Sequence, residues 1–436
     1  MRPAERRLVG GVPVVLIACT VLASLNFIQA ISTIYLQSNG LLFRAIFSLE
    51  SVMLAAMLVA EVPTGHLADR FGPRRLVIAA FGAQFASQVV FAMAHTYGGF
   101  AVASALFGVS LASLSGAREV YVMEFRVDGE QRFGLAHSFT RLNQAVLVGG
   151  LISAGVGGQL ATMGLSIPVR ATAAFAGFAF ALSWCLPRGE ITAQPDQVRD
   201  ASGSLRTALA FIRRSPILIF FSALPQFALL TAINPILQPR LLHQGVTLAY
   251  IGWIIAGGTL VAVGMSQLTH GMERLLGLRA AYAVSLAGAA AGYVIASFAG
   301  AAQIVLGSYV IAVALSFCLP MSRALKVAAA PKQAPVTTLS VSSFCGSLVA
   351  IVINLAIGAL TDISTEVALR AIAVTLGVAV LVWLAVARAD RRRQGAQPGA
   401  VHAEGTTSRR GAAGDARPVG HDRPCVGNVT ISARRR

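Results

Sequence analysis

Apolar runs of the length a membrane helix needs, about 20 residues, recur along the whole chain and are separated by short polar stretches. A sliding hydropathy window predicts spans near 10–36, 44–64, 76–95, 99–118, 136–160, 168–187, 217–240, 248–268, 277–298, 302–322, 336–361 and 368–387, twelve in all. A lipid-facing backbone has no water to satisfy its amides, so a span must be a helix or part of a closed barrel. The alternation of a barrel strand is missing here. The expected fold class is therefore all-α and integral to a membrane. Arg2, Arg6 and Arg7 ahead of the first run give it the look of a secretory signal, and Leu16-Ile17-Ala18-Cys19 that of a lipoprotein box. The apolar run continues well past Cys19, as a spanning helix does and a short signal core does not.

Composition agrees with a bilayer as solvent. Of 436 residues, 56% are hydrophobic and only 12% charged, about half the charged share of a soluble domain. The net charge of +17 is explained by topology. If the N-terminus is cytoplasmic, 22 basic residues fall in inner segments and four, Arg44, Arg170, Arg240 and Arg370, fall outside. That bias places both termini in the cytoplasm, and it needs no nucleic acid as partner. The five cysteines are scattered and suggest neither a disulfide framework nor a metal pair.

The chain also repeats itself. Gly40 and Gly72 are 32 residues apart, as are Gly245 and Gly277, and the two pairs are offset by 205. The same offset carries Arg74 onto Arg279 and Arg118 onto Arg323; after a slip to 200 it carries Val169-Arg170-Ala171 onto Leu369-Arg370-Ala371. Several matches at one offset predict two homologous six-helix halves. The expected organisation is a first bundle at 1–187, a cytoplasmic linker at 188–215, a second bundle at 216–387 and a disordered basic tail at 388–436, rich in Gly, Ala, Pro and Arg. Twelve helices in two similar halves suit transport, with a site near the midplane and one half rocking against the other.

Charge is concentrated in the stretch between spans 2 and 3, Gly65-x-x-x-Asp69-Arg70-x-Gly72-x-Arg74-Arg75. Its glycines permit a tight turn and close helix approach, Asp69 can accept hydrogen bonds at a helix N-terminus, and its arginines can pair with acids across the inner face. Such a set can latch one conformation. This stretch closely resembles the signature loop of the major facilitator superfamily, in the required place. The resemblance covers about residues 8–390 and includes a weaker second copy, in which Arg274 stands at the position of Asp69. It implies a gating role for Gly65, Asp69, Arg70, Gly72, Arg74 and Arg75.

The end of span 4, Ser115 to Glu124, resembles a bacterial efflux-like branch of the superfamily, though Arg118 stands where an acid is common. Arg118, Glu119 and Glu124, with Glu61 and Arg141, are read as an inner-face charge cluster. The antiporter features of the superfamily are matched in part: Ser104 replaces the arginine expected four residues before Gly108. In span 5, Gly149, Gly157 and Gly158 fit, while Ala154 replaces the usual proline. These small residues also let helices pack closely.

An ionisable group near the centre of a span costs about 2.5–3.5 kcal/mol on insertion scales and usually faces a cavity. Glu50, about a turn from the middle of span 2, is the proton-coupling candidate; the competing reading is an acid paired with Arg44 near the outer surface. Candidates for the substrate cavity are the amides of spans 1, 5, 7 and 11: Asn26, Gln29, Asn143, Gln226, Asn234 and Asn354. Buried amides need partners, and either a ligand or a neighbouring helix can supply one.

An enzyme needs clustered nucleophiles, bases or metal ligands, yet the seven histidines are dispersed. The nucleotide-binding Gly-x4-Gly-Lys-Ser/Thr loop is also missing, so transport would be driven by a gradient. No cofactor or metal is expected. The reading is a monomeric, multi-pass secondary transporter of the cytoplasmic membrane: a proton-coupled exporter of a small organic compound such as a drug or secondary metabolite. Import of a small nutrient by proton symport, and a transporter-like sensor, are the alternatives.

Overall fold

The computed structural model describes residues 8–9, 12–124, 135–187, 235–329 and 335–395. A short antiparallel pairing, β1 (Leu8–Val9) with β2 (Val12–Pro13), precedes fourteen helices among the described residues. The first half contains α1 (Val14–Ser24), α2 (Ser32–Ser38), α3 (Phe43–Phe71), α4 (Pro73–Met93), α5 (Tyr97–Glu124), α6 (Leu135–Met163) and α7 (Ser166–Ser183). The second contains α8 (Leu237–His243), α9 (Leu248–Ser266), α10 (Thr269–Leu276), α11 (Leu278–Ala296), α12 (Ala301–Ala329), α13 (Pro335–Ile363) and α14 (Thr365–Gly395). Residues 1–384 form one compact unit and 385–436 another, whose described part is the end of α14. Helix α14 therefore runs past the expected boundary at 387.

Ten described helices are long and apolar enough to cross a membrane, and α1 with the segment to Ser38 makes an eleventh, bent by 55°. The twelfth expected span, 217–240, lies largely outside the described residues; its end is α8. The bend in span 1 has a local cause. The chain leaves α-helical geometry at Leu25 and Asn26, runs as a 3-10 turn at Phe27–Ala30, and bends at Ile31, whose φ of −136° and ψ of 10° are not helical. The backbone on the near side of the bend lies directly on α6, so close that an added Cβ at Gly149 would fall 2.8 Å from the Val21 carbonyl and one at Gly157 would fall 3.1 Å from the Phe27 Cα.

The internal repeat is visible in the backbone. Gly40, Gly72, Gly245 and Gly277 have φ of 82°, 83°, 80° and 76°, a region that side chains strongly disfavour. Each half thus turns at the same two places. The charged stretch at 65–75 is correspondingly not a loop: α3 stays helical through Phe71, Gly72 alone makes the turn, and Pro73 opens α4. Proline at the first helical position loses no hydrogen bond and has the right φ already.

Within the first half, α4 and α3 pack on α5, α7 on α4, and α1 on α6 and α7. Within the second, α11 packs on α12 and α9 on α12. The halves meet along two crossings, α6 against α9 and α13 against α3. We call the end carrying Gly72 and Gly277, with Arg70, Arg74, Arg75, Arg274 and Arg279, the basic end, and the end carrying Gly40 and Gly245 the opposite end.

Candidate functional site

A cavity of about 890 Å³ lies between the halves. Gln29, Glu50 and Asn143 line it from the first half, and Gln238, Thr259, Ser308, Tyr309 and Ser316 from the second. Leucines and isoleucines such as Leu147, Ile254 and Leu315 fill most of the rest. The lining continues to the basic end, where Arg323 stands exposed at the rim.

At the opposite end the halves are joined. Gln238 donates from Nε2 to the Gln29 carbonyl (2.8 Å) and accepts at Oε1 from the Thr33 amide (3.2 Å). Thr33 and Gln238 are separated by the repeat offset of 205, so equivalent points of the two halves meet here. The two helix crossings are equivalent in the same sense. In one, Gly158 of α6 lies on Gly252 of α9, where a Cβ on either would come within 2.9 Å of the other's Cα. In the other, Gly358 of α13 lies on Phe47 of α3, with 2.8 Å from an added Cβ to the Phe47 Cβ. Phe47 and Gly252 are 205 apart, and Gly158 and Gly358 are 200 apart, so one pattern of contact closes this end twice.

The two crossings differ in chemistry. At the α13–α3 crossing, Asn354 Nδ2 donates to Glu50 Oε2 (3.4 Å) and to the Phe47 carbonyl (3.3 Å). The repeat equivalents at the other crossing are Ala154 and Ile255. The architecture therefore closes without an acid and an amide, and the Glu50–Asn354 pair is an addition to it. Asn354 is 1% exposed, and its Oδ1 is buried without a hydrogen-bond partner among the described residues. Such an atom costs about 1–3 kcal/mol.

Two sequence expectations are corrected here. Arg44 does not pair with Glu50; it faces Asp362, with Nε 3.8 Å from Oδ2, and its amide donates to the same oxygen (3.3 Å). Its position at the first turn of α3 points it to the end of α13, which leaves Glu50, two turns deeper, to Asn354. Among the described residues, Arg74 meets backbone carbonyls and not an acid. Its Nε donates to the Leu186 carbonyl (2.7 Å) and its Nη2 to the Trp184 carbonyl (2.9 Å), where the free carbonyls ending α7 attract a cation. Tyr121 adds a hydrogen bond to the Pro187 carbonyl (2.8 Å), so α4 and α5 are both tied to the end of α7.

Of the other predicted residues, Gln29 and Asn143 line the cavity. Asn354 acts one layer behind it, on Glu50. Asn26 sits at the break in span 1 with its Oδ1 buried and unpartnered among the described residues. Gln226 and Asn234 lie outside the described residues, as do the side chains of Asp69 and Glu124 and the surroundings of Gly65. Glu61, Arg75 and Glu119 are exposed, Arg118 is half-buried, and Arg70 stacks on Phe71 at 5.4 Å. Arg141 is exposed and donates to Gln144 (3.4 Å). The sequence reading missed Gln238 and Tyr309. For Gln238 a signal existed: it is an amide at the repeat equivalent of Thr33, between Pro235 and Pro239.

The sequence model described as Major Facilitator Superfamily matches residues 13–265. Among curated proteins there is no significant match. Solved structures share the fold. A point mutant of the nucleoside transporter NupG superposes with a TM-score of 0.73 at 12% identity, over 85% of this chain and 99% of that one. A POT family transporter in complex with a thioalcohol-conjugated peptide gives 0.69 at 12% identity, over 86% and 95%. A D-xylose-proton symporter gives 0.64 at 14% identity, over 83% and 95%.

Proposed function

The chain belongs to the Major Facilitator Superfamily, and from that membership we propose that it is a proton-coupled secondary transporter that exports a small organic solute by alternating access. Family and fold support a secondary transporter rather than an enzyme. The observation that carries the coupling is the Glu50–Asn354 pair: an acid on the cavity wall, held across the boundary between the halves, at a crossing whose repeat equivalent does without it.

The chemistry of that pair suits a switch. A charged Glu50 accepts from Asn354 Nδ2. A protonated Glu50 gains an O–H, and the unpartnered Oδ1 of Asn354 offers an acceptor for it. Protonation thus changes which bond joins α3 to α13, at the place where the halves must separate for the opposite end to open. The latch role of Gly65, Asp69, Arg70, Gly72, Arg74 and Arg75 belongs to the same reading, with Arg74 securing α4 to α7 so that the first half moves as a body.

With the positive-inside bias the basic end faces the cytoplasm, so the cavity opens inward. Among the described residues its lining is mainly apolar with amides and hydroxyls, Glu50 is its one acid and Arg323, at the rim, its one cation. This favours a neutral or amphiphilic solute over a multiply charged metabolite. The test compares the small-molecule content of cells and medium between a strain lacking the gene and the same strain complemented. A compound retained inside the deleted cells is expected and identifies the substrate class. A compound left unconsumed in their medium overturns the outward direction.

A further inference from the structure

A second cavity, of about 320 Å³, lies between α11 and α12 under Met272 of α10. It is lined by Met272, Val284, Gly288, Val313 and Phe317, with Ser285 as its one small polar residue besides Tyr309. Ser285 is already satisfied, its Oγ donating to the Ala281 carbonyl at 2.7 Å. The crevice offers little beyond apolar contact. It extends from Met272, beside Gly277 at the basic end, to the middle of α11 at Gly288, and it reaches the outer flank of the bundle, where Val284 is 52% exposed.

Tyr309 lines both this crevice and the central cavity, so its ring is the wall between them. The ring rests on a glycine patch of α9: an added Cβ would lie 2.5 Å from Tyr309 Oη at Gly257 and 3.3 Å from the ring at Gly258. On the far side, Gly288 leaves the crevice open, with only the Ala314 Cβ at 3.5 Å from an added Cβ. One aromatic side chain on a seat without side chains thus separates a lipid-facing apolar crevice from the site.

We propose that the crevice is a lateral portal for the transported solute, that Tyr309 is its shutter, and that the solute carries an alkyl or aromatic portion which first partitions into the basic-end leaflet. This rests on the transport reading above and adds a substrate class and a route. The occupant is the solute and not a resident lipid, because a single side chain, Tyr309, stands between the crevice and the central cavity. Burial of an alkyl chain is favourable in the bilayer and the crevice alike, so transfer between them is nearly level. The polar groups of the cavity then supply selectivity.

The test uses the full chain in lipid vesicles with a neutral single-chain amphiphile bearing a diazirine at its alkyl end, followed by photolysis and peptide mapping. Adducts are expected in both the crevice and the central cavity. Gly288→Leu, which fills the crevice, should cut central-cavity labelling by about tenfold, and Tyr309→Ala should raise it. Heat-unfolding midpoints of both variants establish that each is folded; should Gly288→Leu fail this check, Tyr309→Ala decides alone. Central labelling indifferent to the variants overturns the portal, and crevice labelling without central labelling makes the crevice a lipid site. Both outcomes are compatible with solute flux through the unmodified protein, whereas failure of the transport reading shows as an absence of that flux.

Discussion

At the scale of single residues, the sharpest division is between groups that act and groups that hold. Glu50 belongs to the first kind, and Glu50→Gln fixes the neutral form. The expected outcome is loss of the pH dependence of transport with protein still in the membrane, checked by solute flux at several external pH values; an unchanged pH profile would return Glu50 to a structural role. Among the described residues, Asn354 from α13 bonds to it, Tyr309 and Arg323 line the same cavity, and Arg44 and Asp362 are paired toward the opposite end. Asn354→Ala should therefore shift the pH profile while leaving Glu50 titratable. Arg74 holds: its two bonds to the end of α7 predict that Arg74→Ala lowers stability by about 1–2 kcal/mol, since hydrogen bonds to charged groups are worth somewhat more than neutral ones. A thermal unfolding midpoint checks this, and the pH profile of transport should not move.

At the scale of elements, glycine positions decide how closely helices approach and where the chain turns. A side chain at Gly158 would meet the Gly252 backbone at 2.9 Å, so Gly158→Val should wedge α6 from α9. Each half keeps its own core, so the fold should survive while the opposite end is held open, as a distance across that end would report. Gly72, with φ 83° and ψ 149°, occupies a region open essentially to glycine alone, and Gly72→Ala should cost about 1–3 kcal/mol. These elements were legible in the sequence to different degrees. The repeat was readable from four glycines because positive φ is a demand only glycine meets well. The helical course of 65–71 was not, because charge there suggested a loop while the backbone simply carried α3 beyond its apolar span. The partners of Arg44 and Arg74 were also hidden, since an ion pair 318 residues apart and a bond to a backbone carbonyl leave no mark in local composition.

At the scale of the whole molecule, two halves of one design meet at one end through equivalent crossings and part around a cavity toward the other. The sequence carried the membrane class and pointed to Gln29 and Asn143, which line the cavity. It could not carry the convergence of Glu50 with Asn354, which depends on how α13 crosses α3. The central claim is that this arrangement is one of two states exchanging through the Glu50–Asn354 crossing. The most direct measurement is a pair of spin-label distances in lipid bilayers, with Cys19, Cys185, Cys318, Cys345 and Cys425 replaced. One pair, at Leu42 and Ile363, reads the opposite end; the other, at Leu67 and Leu275, reads the basic end. The account predicts two populations at each end, with the opposite end lengthening as the basic end shortens, a balance that moves with pH and stops moving in Glu50→Gln. A single distance at each end, unchanged by pH, would contradict it.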